Sequence, residues 1–319
     1  MLDTHEFDVV IIGGGPAGCS CALYTSRSDL KTVILDKNSA VGALAITHKI
    51  ANYPGVSGEV SGAELLTAMR EQAIEFGTTY QQAQVFGIDV SGPQKKVYTP
   101  AGTFVGKALV LATGAMGRKA SVEGESAFLG RGVSYCATCD GAFYRGSEVA
   151  VVGHNQEAIE EAQVLTKFAD SVHWVTTKAP DPKDFHVQEL LGNPVVKHWK
   201  NSRLMSIQGD DRGVNSVQIK KKGTTESQSL PVEGVFVYST GSKPITDFVG
   251  EQVAFNADGG VQANELMETS VDGVWAIGDI RNTPFKQAVV AAGDGCVAAM
   301  SIDRYLNSRK SIKPDWDHS

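Results

Sequence analysis

Residues 7–24, FDVVIIGGGPAGCSCALY, decide the fold. FDVVII at 7–12, apolar but for Asp8, has strand length, a glycine turn follows, and the chain then takes a helical pattern. Gly13, Gly15 and Gly18 meet the Gly-x-Gly-x-x-Gly fingerprint of a dinucleotide-binding turn. The first glycine permits the tight turn, the second lets the backbone reach a pyrophosphate, and the third lets helix and strand pack closely. The next strand, KTVILD, ends in Asp36, placed to accept hydrogen bonds from a ribose hydroxyl.

The same strand–turn–helix recurs at residues 147–166, SEVAVVGHNQEAIEEAQVLT. Each copy is followed later by an apolar strand ending in Thr-Gly: ALVLATGA at 108–115 and VFVYSTGSKP at 235–244. That internal similarity is the mark of a duplicated dinucleotide fold. A further apolar strand, VWAIGD at 274–279, belongs to the first copy, so the second copy interrupts it. The expected fold is α/β, with two Rossmann-like three-layer dinucleotide-binding domains, the second inserted in the first. Residues 1–116 and 245–319 form one domain and residues 117–244 the insertion.

The 319 residues are 42% apolar and 20% charged, the balance of a globular chain with room for two cores. A net charge of −7 argues against nucleic acid or an anionic membrane as partner. No apolar run approaches the roughly 18 residues that span a bilayer. The acidic start, MLDTHEF, leads directly into a strand, so no signal peptide and a cytoplasmic location are expected. Five cysteines are too few for a disulfide scaffold. Cys19, Cys21 and Cys296 are expected to be buried packing residues, the first two being unable to face one another in a helix. Cys136 and Cys139, in a Cys-x-x-Cys, are a candidate redox pair. No second pair supplies the ligands that zinc would need, so no metal site is expected.

With these motifs the sequence resembles the low-molecular-weight thioredoxin reductases over nearly its whole length. The residues that carry the resemblance are GGGPAG at 13–18, NYPG at 52–55, ATGA at 112–115, RGVSYCATCDG at 131–141, IGD at 277–279 and KQAVVAAGDGC at 286–296. The resemblance implies a homodimeric FAD enzyme that acts on thioredoxin, with its redox disulfide in the inserted domain. It assigns the cofactor contacts to Gly13, Gly15, Pro16, Ala17, Gly18, Asp36, Lys37, Gly42, Ala43, Asn52, Thr113, Gly114, Gly278, Asp279, Lys286, Gln287 and Ala288. It makes Cys139 the flavin-proximal sulfur, Cys136 the outer thiol that attacks the substrate disulfide, and Asp140 the group that manages the proton.

The second turn departs from the family's pattern. Where relatives carry Gly-x-Gly-x-x-Ala, this chain has Gly153-x-Asn155-x-x-Ala158, and an Asn155 side chain is expected in the space a pyrophosphate needs. Where the family has a basic cluster, Thr176, Thr177 and Lys178 stand. Losing two charge-assisted contacts costs roughly 3–6 kcal/mol. In affinity that is on the order of 10² to 10⁴. This pattern resembles the ferredoxin-dependent flavin thioredoxin reductases, and the expected donor is therefore ferredoxin. Electrons falling from about −400 mV to about −270 mV release roughly 6 kcal/mol per pair, so the transfer is downhill. The alternatives are an NADPH-dependent enzyme with a degenerate site, an oxidoreductase holding a second flavin there, and a redox sensor without turnover. The last helix is expected to end near Lys310, leaving Trp316 and His318 on a C-terminal extension that would cover the flavin.

Overall fold

In the computed structural model, residues 3–38, 42–47, 49–115, 121–238 and 244–308 are described. Trp316 and His318 lie outside them. The chain divides into two compact units, Met1–Gly117 with Lys243–Ser319, and Arg118–Ser242.

The first unit opens with β1 (Thr4–Ile12), α1 (Pro16–Arg27), β2 (Thr32–Asp36), α2 (Gly62–Glu75), β3 (Thr79–Gln82), β4 (Gly87–Asp89), β5 (Lys95–Thr99) and β6 (Gly102–Leu111). The second unit holds β7 (Val133–Ser134), α3 (Ala137–Asp140), β8 (Glu148–Val152), α4 (Gln156–Leu165), β9 (Ser171–Thr176), α5 (Phe185–Gly192) and β10 (Val196–Lys200). It closes with β11 (Ser202–Asp210), β12 (Gly213–Lys221), β13 (Gln228–Pro231) and β14 (Gly234–Val237). The first unit then resumes with β15 (Val274–Ala276) and α6 (Ala288–Leu306).

In the first unit the strands run in the order β3-β2-β1-β6-β5-β4, with β15 also on β6. β1 lies parallel between β2 and β6. Gly102–Gly106 of β6 pairs antiparallel with β5, whereas Leu109–Leu111 pairs parallel with β15. Because side chains alternate across a strand, Val9 and Ile11 join the core beneath α1, α2 and α6, while Val10 and Ile12 face the opposite core with Val97, Val249, Val253 and Val261. A one-residue slip of β1 would exchange these two faces, so its register is firmly set. α6 lies close on α1 at Gly295, where a Cβ would collide with the Ala17 carbonyl and the Cys21 amide.

In the second unit an all-parallel sheet runs β10-β9-β8-β14-β7, and β11-β12-β13 form a separate antiparallel sheet. Val149 and Val151 of β8 pack with α4 and α5 residues such as Ile159, Leu165 and Leu190. Ala150 and Val152 pack with Leu204, Val217 and Leu230 of the antiparallel sheet. Three layers result.

One boundary differs from expectation. α6 ends at Leu306, with Asn307 as its C-cap, rather than near Lys310. Ser308 adopts φ 51°, a left-handed backbone that cannot continue the helix.

Candidate functional site

Strand order reverses at β1 in the first unit's sheet and at β8 in the second unit's, and ligands of such folds bind outside the strand ends at that reversal. In the first unit this places the candidate crevice beyond β1 and β6. Gly13 takes φ +109°, and a Cβ there would strike the Ala112 carbonyl at the end of β6. A Cβ on Gly18 would strike the Gly13 carbonyl. Gly15 is different: it caps α1 without a side chain, and open space lies where its Cβ would be. A phosphate can therefore approach the amides of this helix N-terminus closely. Pro16 is the first helical residue and Ala17 the second.

Around that cradle stand the other residues expected to bind the cofactor. The Gly14 amide donates to Asp36 Oδ2 at 2.8 Å, and the Asn38 amide to Oδ1 at 3.2 Å. Burial pushes the Asp36 carboxyl up, while these amides and Arg70 pull it back. The Lys37 carbonyl accepts from Gln82 at 3.3 Å. The Ala43 carbonyl accepts from Thr47 at 2.8 Å, and Gly42 faces open space. Asn52 Nδ2 donates to Gln287 Oε1 at 3.4 Å, joining two parts of the chain that are 235 residues apart. Gln287 is the N-cap of α6 and Ala288 its first residue. A Cβ on Gly278 would come 3.0 Å from that of Ala17, and the Gly278 amide donates to Asp294 at 3.0 Å. Arg281 holds the same carboxylate at 2.6 and 2.9 Å. Burial also pushes the Asp279 carboxyl up, partly offset by the charge of Lys286. Thr113 Oγ1 donates to the Ile245 carbonyl at 2.7 Å, and Gly114 follows it with φ +72°.

The second copy repeats the backbone but not the opening. The Gly153 amide donates to the Val175 carbonyl at 3.1 Å, as that of Gly13 does to Leu35 at 2.8 Å. Asn155 occupies the N-cap of α4, and its Oδ1 accepts from the Ala158 amide at 3.1 Å. The side chain thus turns back onto the helix N-terminus, where a phosphate would otherwise find its amides. An amide that α1 offers a ligand is already engaged in α4. Tyr238 donates its amide to the Val152 carbonyl at 2.7 Å, as Ala112 does to Ile12 at 2.8 Å. A buried tyrosine therefore stands where the first copy has alanine, one residue away from the alignment on Thr-Gly. Thr176 is buried and bonded to His198 at 2.9 Å, while Thr177 and Lys178 are exposed.

A disulfide joins Cys136 and Cys139 in the second unit. Cys136 is the N-cap of α3, and the Cys139 amide donates to Cys136 Sγ at 3.1 Å. Ser134 links the pair to its acid: its hydroxyl donates to Asp140 Oδ2 at 2.6 Å and accepts from the Cys136 amide at 3.1 Å. Burial pushes the Asp140 carboxyl up, the charge of Glu161 adds to this, and the Ser134 bond opposes both. Among the other cysteines, Cys19 and Cys21 are buried as expected, and burial pushes the Cys19 thiol up to about 12. Cys296 is only half-buried, because its position on α6 does not turn fully into the core.

The sequence pattern of the pyridine nucleotide-disulphide oxidoreductases matches residues 7–295, across both units. The chain belongs to that family. Its relatives within it are thioredoxin reductases, in agreement with the resemblance carried by the sequence motifs. It is 44% identical over 315 residues to the thioredoxin reductase of Aquifex aeolicus, covering 97% of this chain and 96% of that protein. The structure of a thioredoxin reductase from Gloeobacter violaceus is 68% identical, with 98% of each chain covered and a TM-score of 0.59. That from Streptococcus pyogenes is 35% identical, covering 96% of this chain and 100% of its own, with a TM-score of 0.90. A ferredoxin-flavin thioredoxin reductase from Clostridium acetobutylicum is more distant, at 29% identity and a TM-score of 0.52 over 95% and 99% of the two chains. FAD is the cofactor of this family, and the first unit's uncapped helix and open Gly15 fit its pyrophosphate.

Three residues escaped the sequence reading: Ser134, Glu161 and Tyr238. Glu161 Oε1 accepts from the Thr138 hydroxyl at 2.9 Å, and Tyr238 donates to Oε2 at 2.9 Å. Neither residue type marks a motif, and their contacts reach the cysteine segment from 23 and 101 residues away.

Proposed function

We propose that this chain is an FAD-dependent reductase of the thioredoxin disulfide. The observation that carries the reading is the Cys136–Cys139 disulfide, backed by Asp140, in a chain whose first unit fits FAD. FAD, when bound, supplies the electron pair that opens the Cys136–Cys139 disulfide. The protein's own residues perform the exchange. In the dithiol form, Cys136 Sγ attacks one sulfur of the thioredoxin disulfide, and the other sulfur leaves as a thiolate. Cys139 Sγ then attacks Cys136, restoring the enzyme disulfide and releasing reduced thioredoxin. The Cys139 amide bond to Cys136 Sγ favours thiolate character at the attacking sulfur. Asp140, kept protonated further toward neutrality by burial, gives its proton to the departing thiolate.

Two donors are compatible with this chemistry. The family description and the relatives named above support a pyridine nucleotide, and the preference for ferredoxin drawn from the sequence has no such support. One observation favours a protein donor as the second reading: the α4 N-terminus is capped by Asn155 and lacks the basic cluster. Reduction of the holoenzyme under anaerobic conditions, with NADPH, NADH and reduced ferredoxin offered separately and thioredoxin present, tests both parts. Turnover with NADPH or NADH at micromolar concentration establishes the first donor, and turnover with ferredoxin alone the second. Absence of thioredoxin reduction with every donor overturns the function.

A homodimer belongs to the same proposal. Val289, Val297 and Tyr305 are exposed apolar side chains on α6. Exposed apolar side chains of this size suit burial against a second copy. Sedimentation at twice the chain mass is expected.

A further inference from the structure

The segment between the two cysteines is held mainly by one side chain from another element. Glu161, on α4, accepts from the Ala137 amide, from the Thr138 amide at 3.2 Å, and from the Thr138 hydroxyl at 2.9 Å. Tyr238, at the end of β14, donates its hydroxyl to the same carboxylate at 2.9 Å and accepts from the Ala137 amide at 3.0 Å. Tyr238 is 2% exposed and Ala137 fully buried, so water does not compete for the bond between them, whereas the Thr138 bonds lie on the exposed side.

We propose that Glu161, braced by Tyr238, is a positioning residue that holds Cys136 and Cys139 in register when their disulfide is open. The inference rests on the pair being redox-active, and on no choice of electron donor. Its physical basis is the weakness of α3 by itself. Four residues with two backbone bonds, from the Asp140 amide to the Cys136 carbonyl at 3.1 Å and from the Gly141 amide to the Ala137 carbonyl, do not sustain a helix by themselves. In the oxidised form the disulfide supplies the missing constraint. In the dithiol form that constraint is gone, yet Cys139 must remain within reach of Cys136 to resolve a mixed disulfide. The effective concentration of one sulfur at the other then depends on the carboxylate that gathers Ala137 and Thr138.

The charge acts in the same direction as the tether. A carboxylate beside the pair disfavours thiolate, so its loss stabilises the reduced form. A looser tether also stabilises the reduced form, because ring closure becomes less favourable. The titratable groups that face this segment are Asp140 on α3, Tyr144 in the turn after it, Glu157 and Glu161 on α4, and Tyr238. Burial and the charge of Glu161 both push the Tyr238 hydroxyl up, so it remains a donor throughout the working range.

The test is Glu161→Gln in the FAD-loaded protein, with Tyr238→Phe as the second variant. Each is equilibrated with mixtures of reduced and oxidised dithiothreitol, then alkylated and weighed by mass spectrometry. The expected result is a shift of about tenfold toward the dithiol for Glu161→Gln, about 30 mV for two electrons. A smaller shift in the same direction is expected for Tyr238→Phe. The pH profile of Cys136 alkylation in the reduced protein should move to lower pH in Glu161→Gln. An unchanged equilibrium and pH profile, or a shift toward the disulfide, overturns the proposal. Should Glu161→Gln fail to fold, Tyr238→Phe decides alone. If the wild-type pair does not exchange with dithiothreitol, the reductase function falls as well, whereas a wild-type pair that cycles beside an indifferent variant sinks only the clamp.

Discussion

Cys136 and Cys139 are both half-buried, and the Cys139 amide that donates to Cys136 Sγ at 3.1 Å favours thiolate character at Cys136. This predicts an asymmetric pair of variants. Cys139→Ser should trap thioredoxin as a stable mixed disulfide through Cys136, visible on a non-reducing gel. Cys136→Ser should trap none, and a trap by both variants would refute the assignment. Asp140 carries the second prediction. Its carboxyl lies above its ordinary value when folded, so the stability it contributes is present below the unfolded pKa and lost as pH rises through the folded one. Asp140→Asn removes that loss while keeping an acceptor for Ser134. The variant should melt higher than wild type near neutral pH, and the difference should vanish below about pH 4. Thioredoxin reduction should meanwhile fall by about 10²-fold or more, as expected for the loss of a general acid. Calorimetry across pH together with steady-state rates checks both halves.

Helix α4 shows how one residue converts a nucleotide-binding element into a structural one. Its predecessor α1 begins at a bare Gly15, whereas α4 begins at Asn155 with the Ala158 amide already occupied. Asn155→Ala should cost about 1 kcal/mol of stability, the usual value of a lost cap. Asn155→Gly should cost only a few tenths. The glycine variant alone restores Gly-x-Gly-x-x-Ala, and it should bind NADPH more tightly than wild type in a fluorescence titration. An unchanged affinity would mean that the missing basic cluster, and not the cap, limits the site. The strand–turn–helix copies were legible in sequence because buried parallel strands and glycine turns are local signals. The β4–β5 hairpin and the β11-β12-β13 sheet were not, since short strands with mixed polar faces have no such signature. That Asn155 takes up the Ala158 amide was not legible either, since side-chain direction depends on the partner it finds, which sequence spacing does not reveal.

At the scale of the whole molecule the inserted topology was legible from the strand VWAIGD at 274–279, which follows the second copy, but the reason it is tolerated appears only in space. Where the first unit is interrupted, its two edges are stitched together: Thr113 donates to the Ile245 carbonyl at 2.7 Å, and the Ile245 amide donates to the Gly114 carbonyl at 3.0 Å. The second unit therefore occupies a loop whose ends already meet, the kind of site at which domain insertion succeeds. Each unit also has its own cores, with the second burying Trp174, Phe236 and Leu165 on one face of its sheet and Val217, Ile207 and Leu230 on the other. From this follows a prediction about excision. Replacing residues 118–242 with a short Gly-Ser linker should leave a soluble protein, because closing so small a gap costs little loop entropy. That protein should bind FAD and show a single cooperative melting transition, but reduce no thioredoxin. The excised segment should fold by itself, retain the Cys136–Cys139 disulfide and bind no FAD. A linker-closed first unit that is insoluble or colourless would show that its cradle depends on the insertion, against the separation of cores on which the prediction rests.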